Sequence, residues 1–231
     1  MQKLIITTVG TSILDKCCKK FGDAETIAEK LEKKGKDSEY YNEIKQHAID
    51  ALQYHFERYT NNTSITVRKR MSAEIASLLA MEKDIENLTN EDKIVLLHSD
   101  TTGGELCAEV TADVLCKERQ ICPEIIRIEG LQTENAKTFV DKGLKNLFTI
   151  TKDLLEAHNC QRFVNITGGY KGCIPIQALQ AQDKRVTVIY LFEDTDLVLM
   201  YFTEDGKVEF GIGNERSTTK FDTNSRHEYE S

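Results

Sequence analysis

The sequence has no long hydrophobic segment. No apolar run approaches the roughly 18 residues that a membrane-spanning helix needs. The first twelve residues, MQKLIITTVGTS, also lack the basic region, the long apolar region and the small-residue cleavage site of a signal peptide. We therefore expect no interaction with a membrane and a location in the cytoplasm.

Cysteine occurs without the spacing of a disulfide framework or a zinc site. The chain has seven cysteines, an odd number, and no C-x-x-C pair. We therefore expect reduced thiols in a cytoplasm, and neither a metal nor a cofactor. The adjacent Cys17 and Cys18 suggest a redox site only weakly, because nothing else in the sequence supports one.

An excess of basic residues is absent as well. The 30 lysines and arginines are outnumbered by 38 aspartates and glutamates, which gives a net charge of −8. This balance argues against sequence-independent binding to long nucleic acids, which requires a broad basic surface. A small anionic ligand in a local pocket, held by backbone N–H groups and a few cations, remains compatible with it.

The common nucleotide-binding motifs are also missing. There is no G-x-G-x-x-G after the first apolar run and no G-x-x-x-x-G-K-[ST] anywhere in the chain. The sequence therefore fits poorly with a dinucleotide-dependent oxidoreductase or a P-loop phosphotransferase.

Apolar runs and helical patterns alternate along the chain. Most of the runs are near-continuous in Val, Ile and Leu, as in parallel strands covered on both faces. The predicted strands are 3–8, 93–99, 123–129, 162–167 and 185–192. The predicted helices are 38–59, 72–88, 105–120 and 138–158. This order predicts an α/β fold: a Rossmann-like, doubly wound, mostly parallel sheet with helices on both faces.

The C-terminal part has a different pattern. Two short β-type runs within 196–213 flank Glu204, Asp205 and Gly206, which predicts a β-hairpin. We expect one domain over 1–213. Residues 214–231 are polar and are predicted to form a disordered tail.

Small, hydroxylated and glycine-rich turns follow four of the predicted strands. We call residues 10–12 the first turn, 99–104 the second, 130–132 the third and 167–171 the fourth. In an open α/β sheet, ligands bind beyond the carboxyl ends of the strands, and such turns let backbone N–H groups approach phosphate oxygens. A single turn of this kind is more often a tight connection, but four at one edge favour a site. The candidate binding residues are Gly10, Thr11, Ser99, Asp100, Thr101, Thr102, Gly130, Gln132, Asn165, Thr167, Gly168, Gly169 and Tyr170.

Several segments in a fixed order resemble the CRISPR-associated Rossmann-fold (CARF) family, in the branch that includes single-domain ring nucleases. The first and last of them are the most specific, and together they span about residues 3–192. They are LIITTVGTSIL at the start, SAEIASL (72–78), LLHSDTTGGELCAEV (96–110), IRIEGLQ (126–132) and NITGGYKG (165–172). Proteins of this family bind cyclic oligoadenylates, the second messengers of type III CRISPR complexes, as homodimers. The resemblance therefore implies a ring that lies across the two-fold axis of a homodimer.

The resemblance also implies catalytic roles. A serine of the first motif and a lysine of the last act on the ring in the ring-nuclease branch, and Ser12 and Lys171 match them here. The implied reaction needs no metal, because a ribose 2′-hydroxyl attacks the adjacent phosphorus and leaves a 2′,3′-cyclic phosphate. The protein would position the sugar and stabilise the developing charge.

For four other sites, the sequence allows two interpretations each. His98 is either a general base or, more commonly, a buried histidine with its hydrogen bonds satisfied. We expect Asp100 to cap the following helix or to orient a ribose. Tyr170 either stacks on an adenine or covers the fourth turn. The basic run 68–70 either steers the ligand or is a solvated charge cluster.

Three functions remain open at this stage: a ring nuclease, a sensor that does not cleave, and an unrelated α/β nucleotide-binding domain. The sequence has no R-x4–6-H ribonuclease pair and no H-x-E with C-x-x-C, so no known effector domain is indicated. The chain is thus itself the enzyme, or acts through a partner, or belongs to a longer protein. The ring size, four or six adenylates, is not determined.

Overall fold

A computed structural model describes residues 2–62, 65–84, 87–180, 186–192, 198–204, 207–212 and 215–222. Its framework is one sheet of eight strands in the order β3-β2-β1-β4-β5-β6-β7-β8. The strands are β1 (Lys3–Val9), β2 (Lys93–His98), β3 (Glu124–Arg127), β4 (Gln161–Asn165), β5 (Val186–Leu191), β6 (Val198–Glu204), β7 (Lys207–Ile212) and β8 (Glu215–Asp222). The first five pair in parallel, and β6, β7 and β8 continue the sheet antiparallel.

Helices connect the parallel strands. They are α1 (Ser12–Cys17), α2 (Ala24–Lys34), α3 (Glu39–Asn62), α4 (Ile65–Arg68), α5 (Ala73–Asp84), α6 (Thr102–Arg119), α7 (Ala136–Thr138), α8 (Lys145–Ala157) and α9 (Ile174–Gln180). A π-helical segment, Phe139–Leu144, joins α7 to α8, and short 3₁₀ segments, Lys19–Phe21 and Lys171–Cys173, precede α2 and α9. The short α1 and the charged α2 are not predicted from the sequence.

The central strand β1 separates two apolar cores. Ile5 packs with residues of α1, α2, α3, α5 and α6 on one face of the sheet. Leu4 and Ile6, which alternate with it, pack with residues of α8 and of the segment around α9 on the other face. All seven residues of β1 are buried. The predicted doubly wound α/β fold is therefore confirmed, and so is the C-terminal hairpin of β6 and β7.

Two predictions differ from the structure. Residues 215–222 form β8, paired with β7, where the polar composition predicts a disordered tail; 223–231 lie outside the described residues. Cys116 and Cys122 form a disulfide, where all seven thiols were expected to be reduced. The chain reverses at Gln120, which ends α6 in the left-handed conformation (φ 56°), and this brings the two Cα atoms to 4.3 Å.

In the part of the chain that the structure describes, no helix is both long enough and apolar enough to cross a bilayer.

Candidate functional site

The first and fourth turns meet because their strands are neighbours. β1 and β4 pair in parallel, with Thr7 opposite Asn165, so the backbone leaves the sheet at the same edge after each of these two strands. A cavity of about 330 Å³ lies between the turns. It is lined by Gly10, Thr11, Ser12, Ala73, Glu74, Ile166, Thr167, Gly168, Gly169, Lys171, Ile174 and Tyr190. We call this the turn cavity.

The glycines allow the two turns and α5 to approach one another. A Cβ atom on Gly168 would lie 2.2 Å from Glu74 Oε1, and one on Gly10 would lie 3.0 Å from the Gly169 nitrogen. Gly169 has a φ of 86° and sits against Thr8. The Thr8 hydroxyl donates a hydrogen bond of 2.8 Å to the Gly168 carbonyl. The glycines are therefore needed for the close packing of the two turns and α5, and this packing leaves the turn cavity between them.

Five residues that line this site are not among the predicted candidates, and Glu74 of α5 is the charged one; the others are Ala73, Ile166, Ile174 and Tyr190. The Glu74 side chain is fully buried. The Gly10 N–H donates to Oε1 at 2.8 Å, and the Ser12 hydroxyl donates to Oε2 at 3.3 Å. Burial raises the pKa of this carboxyl, and the neutral hydrogen-bond donors around it offset only part of that effect. A charged residue among the small apolar residues of SAEIASL was the available signal, but an acid in the first turn of a helix is an ordinary feature.

Ser12 lines the turn cavity and is held by α5. Its hydroxyl oxygen accepts a hydrogen bond from the Ala73 N–H at 3.1 Å while donating to Glu74. The side chain is partly exposed. Ser12 therefore has a fixed position in the cavity wall, which suits a residue that orients a ligand.

Lys171 contributes the ammonium group among the residues that line the turn cavity. It is the last residue of the fourth turn, begins the 3₁₀ segment Lys171–Cys173 and is exposed. Ser12 and Lys171, which the resemblance pairs, thus line the same cavity although they come from distant parts of the chain.

A second and larger cavity, of about 710 Å³, shares Thr11 with the turn cavity. Thr101 and Tyr170 also line it, and Tyr170 packs edge-to-face on Phe139 at a centroid distance of 6.2 Å. The charged residues along its wall are mostly acidic: Glu25, Glu29, Glu32 and Glu134, with Lys33. This wall is suited to hydroxyl and amino groups more than to phosphates, since carboxylates only accept hydrogen bonds when ionised.

The second turn is largely occupied by its own hydrogen bonds. The buried Ser99 hydroxyl lies 2.8 Å from that of Thr101, and Thr101 accepts from the Gly104 N–H as the N-cap of α6. The Thr102 hydroxyl donates to Glu32 at 3.0 Å. Thr101 borders the larger cavity, whereas Ser99 and Thr102 are not among the residues that line either cavity.

Asp100 does not cap α6, whose N-cap is Thr101, so this alternative of the prediction is wrong, whereas the ribose alternative stays a prediction. Its carboxylate accepts from the Gly130 N–H at 2.7 Å and from the Arg127 guanidinium. Burial alone would raise the pKa of Asp100, but these two donors outweigh it and the pKa is lowered. Asp100 therefore connects the second turn to the third.

The third turn packs against the π-helical segment Phe139–Leu144, which precedes α8. Gly130 has a φ of 79°, and a Cβ atom there would lie 3.0 Å from Lys142 side-chain atoms. The Gln132 side chain accepts a hydrogen bond from the Asn135 N–H at 3.0 Å. Neither residue lines the turn cavity or the larger one.

Asn165 at the end of β4 and Thr167 at the start of the fourth turn fix the backbone there by hydrogen bonds. The buried Asn165 amide donates to the Ser77 hydroxyl at 2.7 Å and accepts from the Thr167 N–H at 3.1 Å. The Thr167 hydroxyl accepts from the Leu191 N–H at 2.9 Å and borders the turn cavity. Asn165 is thus a support beneath the cavity rather than part of its wall.

The remaining candidates lie apart from the turn cavity. His98 is buried, its Nδ1 lies 2.8 Å from the Ser99 carbonyl oxygen, and burial lowers its pKa. Arg68 is 2% exposed, so the basic run 68–70 is not simply a solvated cluster. Burial raises the pKa of Cys17 to about 12 and that of Cys18 to about 11, so both thiols are unreactive at neutral pH.

Within the described ranges, no group of three or more His, Cys, Asp or Glu side chains is arranged to hold a metal ion.

Comparison with known proteins gives one family. Residues 69–201, more than half of the chain, match the model of a family described as CRISPR-associated protein (Cas_APE2256). The match includes Glu74 and the second, third and fourth turns, and it begins after Ser12. No curated protein matches the chain.

Proposed function

Since the chain belongs to the CRISPR-associated protein family Cas_APE2256, a CARF-type family, we propose that it binds a cyclic oligoadenylate, with cyclic tetra-adenylate as the first candidate, and cleaves it as a metal-independent ring nuclease. The observation that carries the proposal is the turn cavity, in which Ser12 and Lys171 line one space at the carboxyl ends of β1 and β4. The role in CRISPR signalling comes from the family; the ligand and the reaction are our inference.

The lining residues suit one phosphodiester and its ribose. The Lys171 ammonium is a point charge for the phosphate oxygens, and Ser12 positions the ribose 2′-hydroxyl. The 2′-oxygen attacks phosphorus, the bond to the 5′-oxygen breaks, and the products carry a 2′,3′-cyclic phosphate and a 5′-hydroxyl. The acidic wall of the larger cavity then faces ribose hydroxyls and the adenine amino group.

We propose a homodimer in the cytoplasm as the active form. One chain lines the two cavities with Lys33 and Lys171 against Glu25, Glu29, Glu32, Glu74 and Glu134. One chain therefore offers few cations to a ring with four phosphates. A two-fold dimer presents each turn twice and matches the symmetry of the ring.

Incubation of the purified protein with labelled cyclic tetra-adenylate in EDTA tests the proposal. We expect cleavage to linear products that end in a 2′,3′-cyclic phosphate.

Ser12→Ala should lower the single-turnover rate about 100-fold, because a small misplacement of the nucleophile has an effect of that size. Its affinity for the ring should stay within about threefold of wild type, because a neutral hydroxyl contributes less to anion binding than an ammonium group does.

Ser38→Ala, which removes a hydroxyl that donates to the Gly35 carbonyl before α3, is the matched control and should cleave like wild type. A wild-type protein that binds the ring and leaves it intact over hours is a sensor and not a nuclease. Cleavage that stops when EDTA is added contradicts the metal-independent reaction.

A further inference from the structure

Glu74 is a buried carboxyl whose known partners are neutral. The groups that hydrogen-bond to it are backbone N–H groups and the hydroxyls of Ser12 and Ser72. Burying an ionisable group has a large free-energy cost, and buried carboxyls beside a cavity are frequent at functional sites. A glutamine at this position would satisfy the same geometry without that cost, since its oxygen can accept from Gly10 and its amide can donate to Ser12.

The hydrogen bonds of Ser12 define what its hydroxyl offers to a ligand. A hydroxyl has one donor and two acceptor lone pairs. The Ala73 N–H uses one lone pair, and the proton is directed to Glu74 Oε2. The remaining lone pair is available in the turn cavity that Ser12 lines. With Glu74 ionised, Ser12 is therefore an acceptor for a hydroxyl of the ligand.

We propose that Glu74 removes the proton of the attacking ribose 2′-hydroxyl through Ser12. This step rests on the proposed function. The 2′-O–H proton passes to the Ser12 oxygen as the Ser12 proton passes to Glu74 Oε2. The freed electron pair on the 2′-oxygen forms the bond to phosphorus, the bond between phosphorus and the 5′-oxygen breaks, and the Lys171 ammonium supplies the proton that the leaving 5′-oxygen takes up. Solvent then returns Glu74 and Lys171 to their starting charges.

The environment of Glu74 suits a proton acceptor. Burial raises the pKa of Glu74 above its ordinary value, which makes its carboxylate a stronger proton acceptor. The other titratable groups that face it or its cavity are the Cys107 thiol of α6, Lys171, and Tyr190 of β5. Burial and the charge of Glu74 raise the pKa of Cys107 well above its ordinary value. None of the three is a carboxyl, but the larger cavity has Glu25, Glu29, Glu32 and Glu134 along its wall. Loss of rate at acid pH is therefore assigned to Glu74 only if the Glu74→Gln variant does not show it.

The test compares Glu74→Gln with wild type on cyclic tetra-adenylate under single-turnover conditions across pH. Glu74→Gln should bind the ring within about threefold of wild type and cleave it about 10² to 10⁴ times more slowly, the usual contribution of a general base. The wild-type rate should fall tenfold per pH unit on the acid side, and this acid limb should be absent from the variant. Glu82→Gln, the same change on the same helix at a residue that pairs with Arg119, should behave like wild type.

Two results overturn the proposal while leaving the proposed function intact. One is a Glu74→Gln variant with the wild-type rate. The other is a slower variant that keeps the acid limb, because Glu74 would then be only a support for the first turn. If the variant does not fold, a wild-type rate that is constant from neutral to acid pH overturns the proposal. A wild-type protein that does not cleave the ring overturns both the proposed function and this step.

Discussion

At the scale of single residues, the turn cavity combines one ammonium group with one buried carboxyl. Lys171 is exposed at its wall, whereas Glu74 is fully buried beneath the turns. The proposed roles differ accordingly: Lys171 would present its charge to the ligand directly, and Glu74 would act through the Ser12 hydroxyl that it holds. Substitutions at the two positions should separate binding from turnover.

Lys171→Ala should weaken binding of cyclic tetra-adenylate at least tenfold. Loss of one partner of a charge pair that the ligand desolvates has an effect of about 2–5 kcal/mol, and a factor of ten corresponds to about 1.4 kcal/mol. Isothermal titration calorimetry at fixed salt measures the change. Lys152→Ala on α8 removes the same charge outside the turn cavity and should bind like wild type. Equal affinity of the Lys171 variant and wild type would mean that the phosphates bind elsewhere.

At the scale of elements, three parts of the chain converge under the cavity. Thr8 at the end of β1 bonds to the fourth turn, and Glu74 of α5 bonds to the first turn. The glycines of the fourth turn fill the space between them without side chains. The shape of the cavity is therefore a property of this junction and not of either turn alone.

Gly168→Ala should destabilise the junction. Its methyl group would lie 2.2 Å from Glu74 Oε1 and 2.8 Å from the Thr8 carbonyl oxygen, so the turn has to move. We expect the free energy of unfolding to fall by about 1–3 kcal/mol, which is typical of overpacking in a buried site, with loss of ring cleavage. Urea denaturation measures the change in the free energy of unfolding. Gly172→Ala, four residues on, places its methyl 3.5 Å from the Phe139 ring and should be near neutral in stability. Similar stability of the two variants would contradict this account.

The sequence predicts the elements better than the site. Apolar runs identify β1, β2, β4 and β5, since strands buried on both faces have few polar positions and lack a regular alternation of polar and apolar residues. β8 has no such pattern, and pairing with β7 forms it. The resemblance pairs Ser12 with Lys171, and the observed pairing of β1 with β4 brings the two residues to one cavity. The pairing of Asp100 with Arg127 does not follow from the sequence, because it depends on how closely two turns approach in space.

At the scale of the whole molecule, negative charge is the prominent property. The net charge is −8, and acidic residues dominate the wall of the larger cavity. One chain therefore attracts a polyanion weakly, and its site is restricted to the few cations near the turns. In the proposed dimer, a second chain adds the same cations and the same carboxylates, so the ring gains contacts while the site keeps its excess of acidic residues.

Titration should saturate at one ring per two chains. In a two-fold dimer the two turn cavities act on one ring, so a single binding event occupies both. Calorimetry with light scattering measures the stoichiometry and the mass of the complex together. Linear tetra-adenylate, which lacks the closed symmetry, serves as the control ligand and should bind more weakly. Saturation at one ring per chain is the outcome that this model does not allow.

The junction between β1 and the fourth turn also determines at which point of synthesis the turn cavity can form. The hydrogen bond from Thr8 to Gly168 joins residues 160 positions apart, and β4 completes the parallel pairing of β1 only after α8. At the usual elongation rate of about 5–20 residues per second, the ribosome takes roughly ten seconds or more to cover that distance. From residue 98 to β4, the nascent chain carries β1, α5 and β2 without the turn cavity. The turn cavity is thus completed late in synthesis, and a chain released before β4 lacks it.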